Sequence, residues 1–242
     1  MMKNPNGPYP GRQIFLGITE KGNTAFAYLV TGRSAASRER KAVQMAHGIV
    51  MGPLGDVAYD PLRHYTAVNC DNAIGLMTVT NGIQTGAIFE TYRLLYHCGT
   101  NPTKGYLKKL MDGAGCEPDS LKTPRIAGVI ANPPGKIGAV YFISIVTGEG
   151  PAVAWKIQPA PGTLIGISTY NGNMEIPETF SIAEGLPVVP FELDTPMGIA
   201  DFVYDISAAT SQGEDIRVCA VGGVRSDDNL TWETAIINRH RD

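Results

Sequence analysis

The sequence lacks most of the short signatures that mark an enzyme class. Its four cysteines, Cys70, Cys98, Cys116 and Cys219, form no CxxC pair, which argues against zinc ribbons and thioredoxin-like redox chemistry. No Gly-x-Ser-x-Gly elbow, Walker loop or full GxGxxG occurs, and Gly148-Glu149-Gly150-Pro151 reads only as a turn. His47, His64, His97 and His240 fall at no metal-ligand spacing, so no metal and no cofactor is expected. His64 stands apart because it precedes a strand leading to Asn69. No apolar run approaches the ~18 residues of a membrane span. Met1 to Pro8 carries no apolar h-region. The expectation is a cytoplasmic protein with reduced thiols and no membrane partner. A basic excess is also missing: 20 Lys and Arg against 23 Asp and Glu give a net charge of −3, which argues against a nucleic-acid partner.

What the chain has instead is glycine and proline, 28 and 17 of them in 242 residues. That usage favours many short strands joined by turns over a helical bundle. With 43% hydrophobic and 18% charged residues the composition is that of an ordinary folded chain with a full core. No long linker or internal repeat divides it, so one domain over 1–242 is expected.

Residues 1–11 read as an irregular arm. A hairpin follows, with strands over 12–18 and 24–30 about the turn Glu20-Lys21-Gly22-Asn23. Further strands are expected over 42–51, 65–70 and 72–79. One helix has Ile83, Ala87, Ile88, Leu94 and Leu95 as its apolar face, with Thr80 or Asn81 near its cap. A second starts at Asn101-Pro102, carries Leu107, Leu110, Met111 and Ala114 inward, and ends at Gly113 and Gly115. Strand signals resume over 125–131, 138–146, 152–157 and 164–169. A helix over 196–206 is capped by Thr195. A closing hairpin pairs 216–224 with 230–237 over Ser226-Asp227-Asp228-Asn229. Hairpin-linked strands imply mostly antiparallel sheets. Helices gathered in blocks suggest that they cover sheet faces without βαβ alternation, which makes the fold class α+β.

Several polar residues stand where strands end or loops turn, the positions from which a scaffold presents groups to a ligand. Arg33, Arg38 and Arg125 offer guanidinium forks suited to phosphate or carboxylate. Arg33, Arg38, Arg40 and Lys41 form the densest basic run, which also fits a solvated loop. Asn69 and Asn81 are amides beside strand ends, and Asn81 also fits a helix cap. Glu117 lies between a helix end and Thr123-Pro124-Arg125, where a carboxylate near an arginine can shuttle a proton or orient a partner.

In this order, Gly11-Arg12, Arg33-Ser34 with Arg38, Asn69-Cys70, Thr80-Asn81-Gly82 with Thr85, and Lys122-Thr123-Pro124-Arg125-Ile126-Ala127 resemble the archaeal-type IMP cyclohydrolase family. The similarity runs from Gly11 to Asn171, with no comparable motif beyond. The resemblance implies a four-layer αββα sandwich of Ntn-hydrolase type, and an active site holding the arginine at Arg38 and the acid at Glu117. The chain begins Met1-Met2, without the N-terminal nucleophile of Ntn hydrolases, and the cyclohydrolase branch needs none. The family carries a tyrosine just before Asn-Cys, where this chain has Val68; Tyr65 and Tyr170 are phenols that could stand in from elsewhere. The reaction implied closes a formamido-imidazole carboxamide ribonucleotide to IMP with loss of water. Holding the carboxamide nitrogen against the formyl carbon can lower such a barrier by ~7–11 kcal/mol. A donor aimed at the formyl oxygen, here Arg38, adds roughly 3 kcal/mol. Glu117 would transfer the proton. Arg33 and Arg125 would grip the 5′-phosphate, while Ser34, Asn69, Asn81, Gly82, Thr85 and Thr123 would read the base, ribose or phosphate. Two other readings stay open: an amidohydrolase of other specificity on the same scaffold, and a non-catalytic purine-nucleotide-binding protein; under any of the three the chain could be a homo-oligomer.

Overall fold

A computed structural model of the chain describes residues 9–181, 185–226 and 230–239. The elements in chain order begin with strands β1 (Arg12–Ile18) and β2 (Thr24–Thr31), a single helical turn α1 (Ala35–Arg38), then β3 (Arg40–Met45), β4 (Gly48–Pro53), β5 (Tyr65–Asp71) and β6 (Leu76–Thr80). Helices α2 (Thr85–His97) and α3 (Lys104–Ala114) follow, then β7 (Arg125–Ala131), β8 (Val140–Val146), β9 (Val153–Ile157) and β10 (Thr163–Ser168). Short strands β11 (Tyr170–Asn171), β12 (Glu178–Thr179) and β13 (Val188–Pro190) lead to α4 (Pro196–Ile206). The chain closes with β14 (Thr210–Ser211), β15 (Glu214–Asp215), β16 (Arg217–Arg225) and β17 (Glu233–Asn238).

The protein is α+β. One sheet has six strands in the order β13-β10-β1-β2-β16-β17 and the other has seven in simple sequence order from β3 to β9. Every ladder among the described strands is antiparallel, as the hairpin signals implied. Alternation along each strand sorts its side chains to two faces. Ile14, Leu16, Phe26, Tyr28 and Val30 turn toward Ile49, Met51, Val68, Val79 and Ile126 of the other sheet. Phe15, Ala25, Ala27 and Leu29 face the opposite way, onto Ile199 and Val203 of α4. Ile88 and Tyr92 of α2 and Leu107 and Met111 of α3 pack on Val129 and Phe142, on the face of the seven-stranded sheet turned away from the first core.

Close approach explains two glycines. A Cβ at Gly222 on β16 would lie 2.1 Å from the carbonyl oxygen of Pro196, so α4 can settle on the sheet only over a glycine. The helix is positioned from its own start by the sequence signal: Pro196 is at its first turn and the Thr195 hydroxyl accepts a hydrogen bond from Gly198 N at 3.2 Å. At Gly128 a Cβ would come within 2.9 Å of Ile14, which marks where β7 and β1 meet across the core.

Several expectations need correction. The strand expected over 42–51 is a hairpin, β3 and β4, turning at Ala46-His47. Asn72 to Gly75 is a turn before β6, with Gly75 at φ 64°. Helix α2 begins at Thr85 with Gln84 at its cap position, so Thr80 and Asn81 do not cap it. Its buried residues are Thr85, Ile88 and Tyr92, while Ile83 and Leu94 are 66% and 64% exposed. Ile83 precedes the helix, and Leu94 stands about 240° around the axis from Ile88 at 100° per residue. Helix α3 starts after Thr103, two residues later than Asn101-Pro102 suggested, and ends as expected at Gly115 with φ 62°. The first eight residues of the expected arm, the turn residues 227–229 and His240 lie outside the described residues. Among those described, no helix is long and apolar enough to cross a membrane.

Candidate active site

A cleft of about 840 Å³ opens where β1 and β3 begin and β2 ends. Its floor and walls come from both sheets: Arg12 opens β1 in the six-stranded sheet, and Arg40 opens β3 in the seven-stranded one. The loop from α3 to β7 adds Glu117, Asp119 and Thr123, the turn around α1 adds Arg33 and Ser34, and the loop after β4 adds Asp60 and Arg63.

Gly11 delivers Arg12 to this place. At φ 69° its missing Cβ leaves room for the Thr169 hydroxyl, which a side chain would meet at 2.2 Å. The Arg12 Nη2 then donates to both oxygens of Glu117, at 3.0 and 3.2 Å, and to the Leu62 carbonyl at 3.3 Å. Glu117 is only 2% exposed. The Asn81 amide also donates to it, at 3.4 Å, and its own backbone N–H donates to Thr123 O at 2.8 Å. Burial pushes the Glu117 carboxyl above its ordinary proton affinity, while Arg12 and Arg125 pull the other way. A carboxyl so placed takes up and releases a proton nearer neutrality than one in water.

The other guanidiniums of the wall differ in what holds them. Arg63 is tied to Asp60 at 2.7 Å and to Ala36 O at 2.6 Å. Arg33 donates to the carbonyls of Met174 and Glu175 at 3.1 and 3.0 Å and lies 5.4 Å from the centre of the Tyr9 ring. Tyr9 in turn stacks on Tyr170, centroid to centroid 5.7 Å. Arg40 is 2% exposed, and its Nε and Nη1 have no hydrogen-bond partner among the described residues. Buried donors of this kind are costly unless an acceptor arrives. Neither Arg33 nor Arg40 has a carboxylate partner among the described residues, so these two remain available to an anion.

Of the residues marked in the sequence, the cleft brings together Arg33, Ser34, Glu117 and Thr123. Arg38, beside it in sequence, turns back: its Nη1 donates to Arg33 O at 2.7 Å and Gly32 O at 3.3 Å and so knits the turn. Arg125 is buried behind the floor, where its Nη1 meets Gln84 Oε1 at 2.9 Å and its charge reaches Glu117. The expected convergence of Arg33, Arg38 and Arg125 is therefore replaced by Arg12, Arg33 and Arg40. Asn81 ties β6 to β7, accepting from Ile126 N at 2.8 Å and donating to Pro124 O at 2.9 Å. Gly82 leaves space for the Arg125 guanidinium, and the Thr85 hydroxyl bonds Thr80 and the carbonyls of Thr66 and Gly82. Asn69 lies in a separate depression with His47, Cys70 and Asp71. There burial pushes the Cys70 thiol up to about 12, which leaves it protonated. Val68 is fully buried between the sheets, while Tyr170 lines the cleft. Tyr65 instead pairs with Tyr28, hydroxyl to hydroxyl at 2.8 Å. His64 accepts from Asp60 N at 2.9 Å through Nδ1 and is held neutral by burial and by Arg63, so it braces the loop that carries Asp60 and Arg63.

The profile of the family described as IMP cyclohydrolase-like protein matches residues 9–229. The chain belongs to this family. The IMP cyclohydrolase-like match extends past Asn171, where the short motifs stop, and takes in α4 and β16. A protein of Methanocella arvoryzae named IMP cyclohydrolase is 27% identical over 223 residues, 92% of this chain and 95% of that one. One of Halobacterium salinarum, of the same name, is 28% identical over 218 residues, 90% and 94% of the two chains. A third, from Methanocaldococcus jannaschii, is 32% identical over 124 residues, 50% of this chain and 56% of its own length. Sequence reasoning passed over Arg40 because an arginine at the head of a strand next to Lys41 looks like a solvated run. Arg12 stands out in the sequence only as part of the Gly11-Arg12 motif. The signal that sets Arg12 apart is its place at the head of a strand buried along nearly its whole length; Arg40, followed by Lys41 and an exposed stretch, carries no such signal.

Proposed function

We propose that this chain closes a formamido-imidazole carboxamide ribonucleotide to IMP, with release of water, in purine synthesis. The observation that carries the reading is the pair of groups at the cleft floor: a buried carboxyl, Glu117, held by Arg12, and a buried guanidinium, Arg40, with two unpartnered donors. Both belong to a chain whose family relatives bear the name of this activity. Glu117 exchanges protons with the reacting nitrogen and oxygen. Arg40 donates to the formyl oxygen as negative charge grows on it. Arg33 and Ser34, farther out, receive the 5′-phosphate. The packing order of helix α4, two facing sheets, and helices α2 and α3 supports a four-layer αββα sandwich of Ntn-hydrolase type. The unpaired cysteines suit a reducing cytoplasm.

The test is direct. Purified protein is given the formamido ribonucleotide and the rise of IMP absorbance is followed. Turnover supports the reading. Binding of IMP without turnover would convert it to a nucleotide-binding role, and neither binding nor turnover by folded protein would overturn it.

A further inference from the structure

The cleft holds a second group able to move a proton, on the same loop as Glu117. The Tyr170 hydroxyl lies 2.6 Å from Thr123 Oγ1, and Thr123 Oγ1 lies 2.5 Å from Asp119 Oδ2. The other Asp119 oxygen accepts from Thr123 N at 2.8 Å, so the carboxylate is fixed from two sides. Direction in this chain follows from counting hydrogens. A threonine hydroxyl has one proton, and here it is given to the carboxylate. Thr123 can then only accept from Tyr170, so the phenol proton points along the chain toward Asp119. The lone pairs of Tyr170 are left for a donor from outside the chain, and Tyr170 lines the cleft. The Tyr9 ring stacks on Tyr170 and the Arg33 guanidinium caps Tyr9, which fixes the phenol ring. The loop itself is closed by Glu117 N donating to Thr123 O at 2.8 Å, with Lys122 held at φ 49° between them.

We propose that Tyr170, Thr123 and Asp119 form a proton relay that works opposite Glu117 during ring closure. The inference rests on the cyclohydrolase reading and deepens it. The chemistry asks for two stations. In the first step a bond forms between the carboxamide nitrogen and the formyl carbon; the nitrogen gives up one proton and the formyl oxygen gains one, becoming a hydroxyl. In the second the C–O bond breaks, the hydroxyl leaves as water with another proton, and the formamido nitrogen, not the carboxamide nitrogen, gives up its proton to complete the C=N bond. In the form of the site in which Glu117 carries a proton and Asp119 none, Glu117 supplies the oxygen while Tyr170 takes the nitrogen's proton and passes its own through Thr123 to Asp119. The second step runs the two in reverse and restores both groups. Two protons leave nitrogen, two reach oxygen, and no other reactant is needed. Tyr170 is the catalytic residue of this relay; Thr123 and Asp119 act through it as positioning residues.

The test substitutes Thr123 by Val, which has its shape without its hydroxyl, and by Ser, which restores the hydroxyl. Thr123→Val should lower kcat at least ~100-fold with KM within about threefold, the lower end of the range for a positioned acid or base. Thr123→Ser should recover most of the rate. Thermal unfolding of both variants checks that they fold, and Tyr170→Phe should lose activity to the same extent with no further loss when combined with Thr123→Val. Wild-type turnover with an unchanged kcat in Thr123→Val, or Ser and Val equally impaired, would overturn the relay while leaving the cyclohydrolase reading intact. No turnover by the wild type would remove that reading and the relay with it.

Discussion

Replacing Arg12 by Met tests the electrostatics of the cleft floor. The change removes the two hydrogen bonds, at 3.0 and 3.2 Å, that hold Glu117, and leaves its carboxylate 2% exposed without its main cation. Breaking a buried ion pair from one side costs about 3–5 kcal/mol when the remaining charge stays ionised. The lost bond to Leu62 O at 3.3 Å adds a smaller cost, about 1 kcal/mol, that pH does not change. The buried carboxyl has an escape, which is to take a proton. Burial already raises its proton affinity in the intact site, and loss of Arg12 raises it further. With the folded-state pKa above the unfolded value of about 4.3, stability is fully present below that pH and is lost as pH rises through the folded pKa. The cost of the substitution must therefore grow with pH, by up to about 1.4 kcal/mol per unit across the titration. Urea unfolding of wild type and variant at pH 5 and pH 8, at one ionic strength, measures it. The expected result is a destabilisation at pH 8 larger than at pH 5 by at least about 1 kcal/mol. Equal losses at both pH values, or the larger loss at pH 5, would refute a buried Glu117 carboxylate dependent on Arg12.

Arg40→Met should cut turnover about 100-fold or more, the scale of losing a donor to a developing oxyanion, while Arg38→Ala, which gives up only bonds to Gly32 O and Arg33 O, should cost about 1 kcal/mol of stability and change kcat far less. Steady-state kinetics on the two variants separates them, and the reverse ranking would return the oxyanion role to Arg38. Gly222→Val should destabilise the fold by about 1–3 kcal/mol, because its side chain would be driven against Pro196 O and Ala200 N at the base of α4; a melting temperature equal to wild type would count against that close approach.

The architecture was legible where one local rule dominates. The hairpin of β1 and β2, the helix at Pro196–Ile206 and strand Arg125–Ala131 all stand where period, cap or turn residues put them. Errors came where an apolar run hid a turn. Ala42 to Met51 carries no proline or loop cluster, and only Gln44, His47 and Gly48 break it, so its hairpin looks like one strand. In the site, Glu117 and Arg33 were legible because each stands outside a regular element, flanked by loop residues. Arg125 and Asn81 carry polar groups at strand ends too, yet their partners, Gln84 for the first and the Pro124 and Ile126 backbone for the second, lie 41 to 45 residues away in sequence, which the sequence does not show. Arg38 and Arg40 differ by two positions on an extended or turning chain, enough to send one back to its own backbone and the other into the floor.

The division of labour in the cleft follows from which parts of the fold can move. Arg12 and Arg40 are first residues of strands, so their backbones are locked by ladders to β2 and β4 while their side chains reach past the sheet edge. Cations held this way lose little entropy when an anion arrives, which favours binding over adjustment. The acids come from a loop instead. Glu117, Asp119 and Thr123 share a segment closed by Glu117 N to Thr123 O and Thr123 N to Asp119, tight enough to fix distances within it and joined to the rest of the fold at its ends and through Arg12, Asn81 and Tyr170. A reaction in which two protons cross from nitrogen to oxygen needs its acids and bases to keep their mutual spacing while the substrate changes shape between them. Carrying both on one tied loop, against a wall of strand-mounted guanidiniums, meets that requirement with few residues. Under the proposed relay the phenol reaches the cleft from β11, and Val68 is left to the core between the sheets.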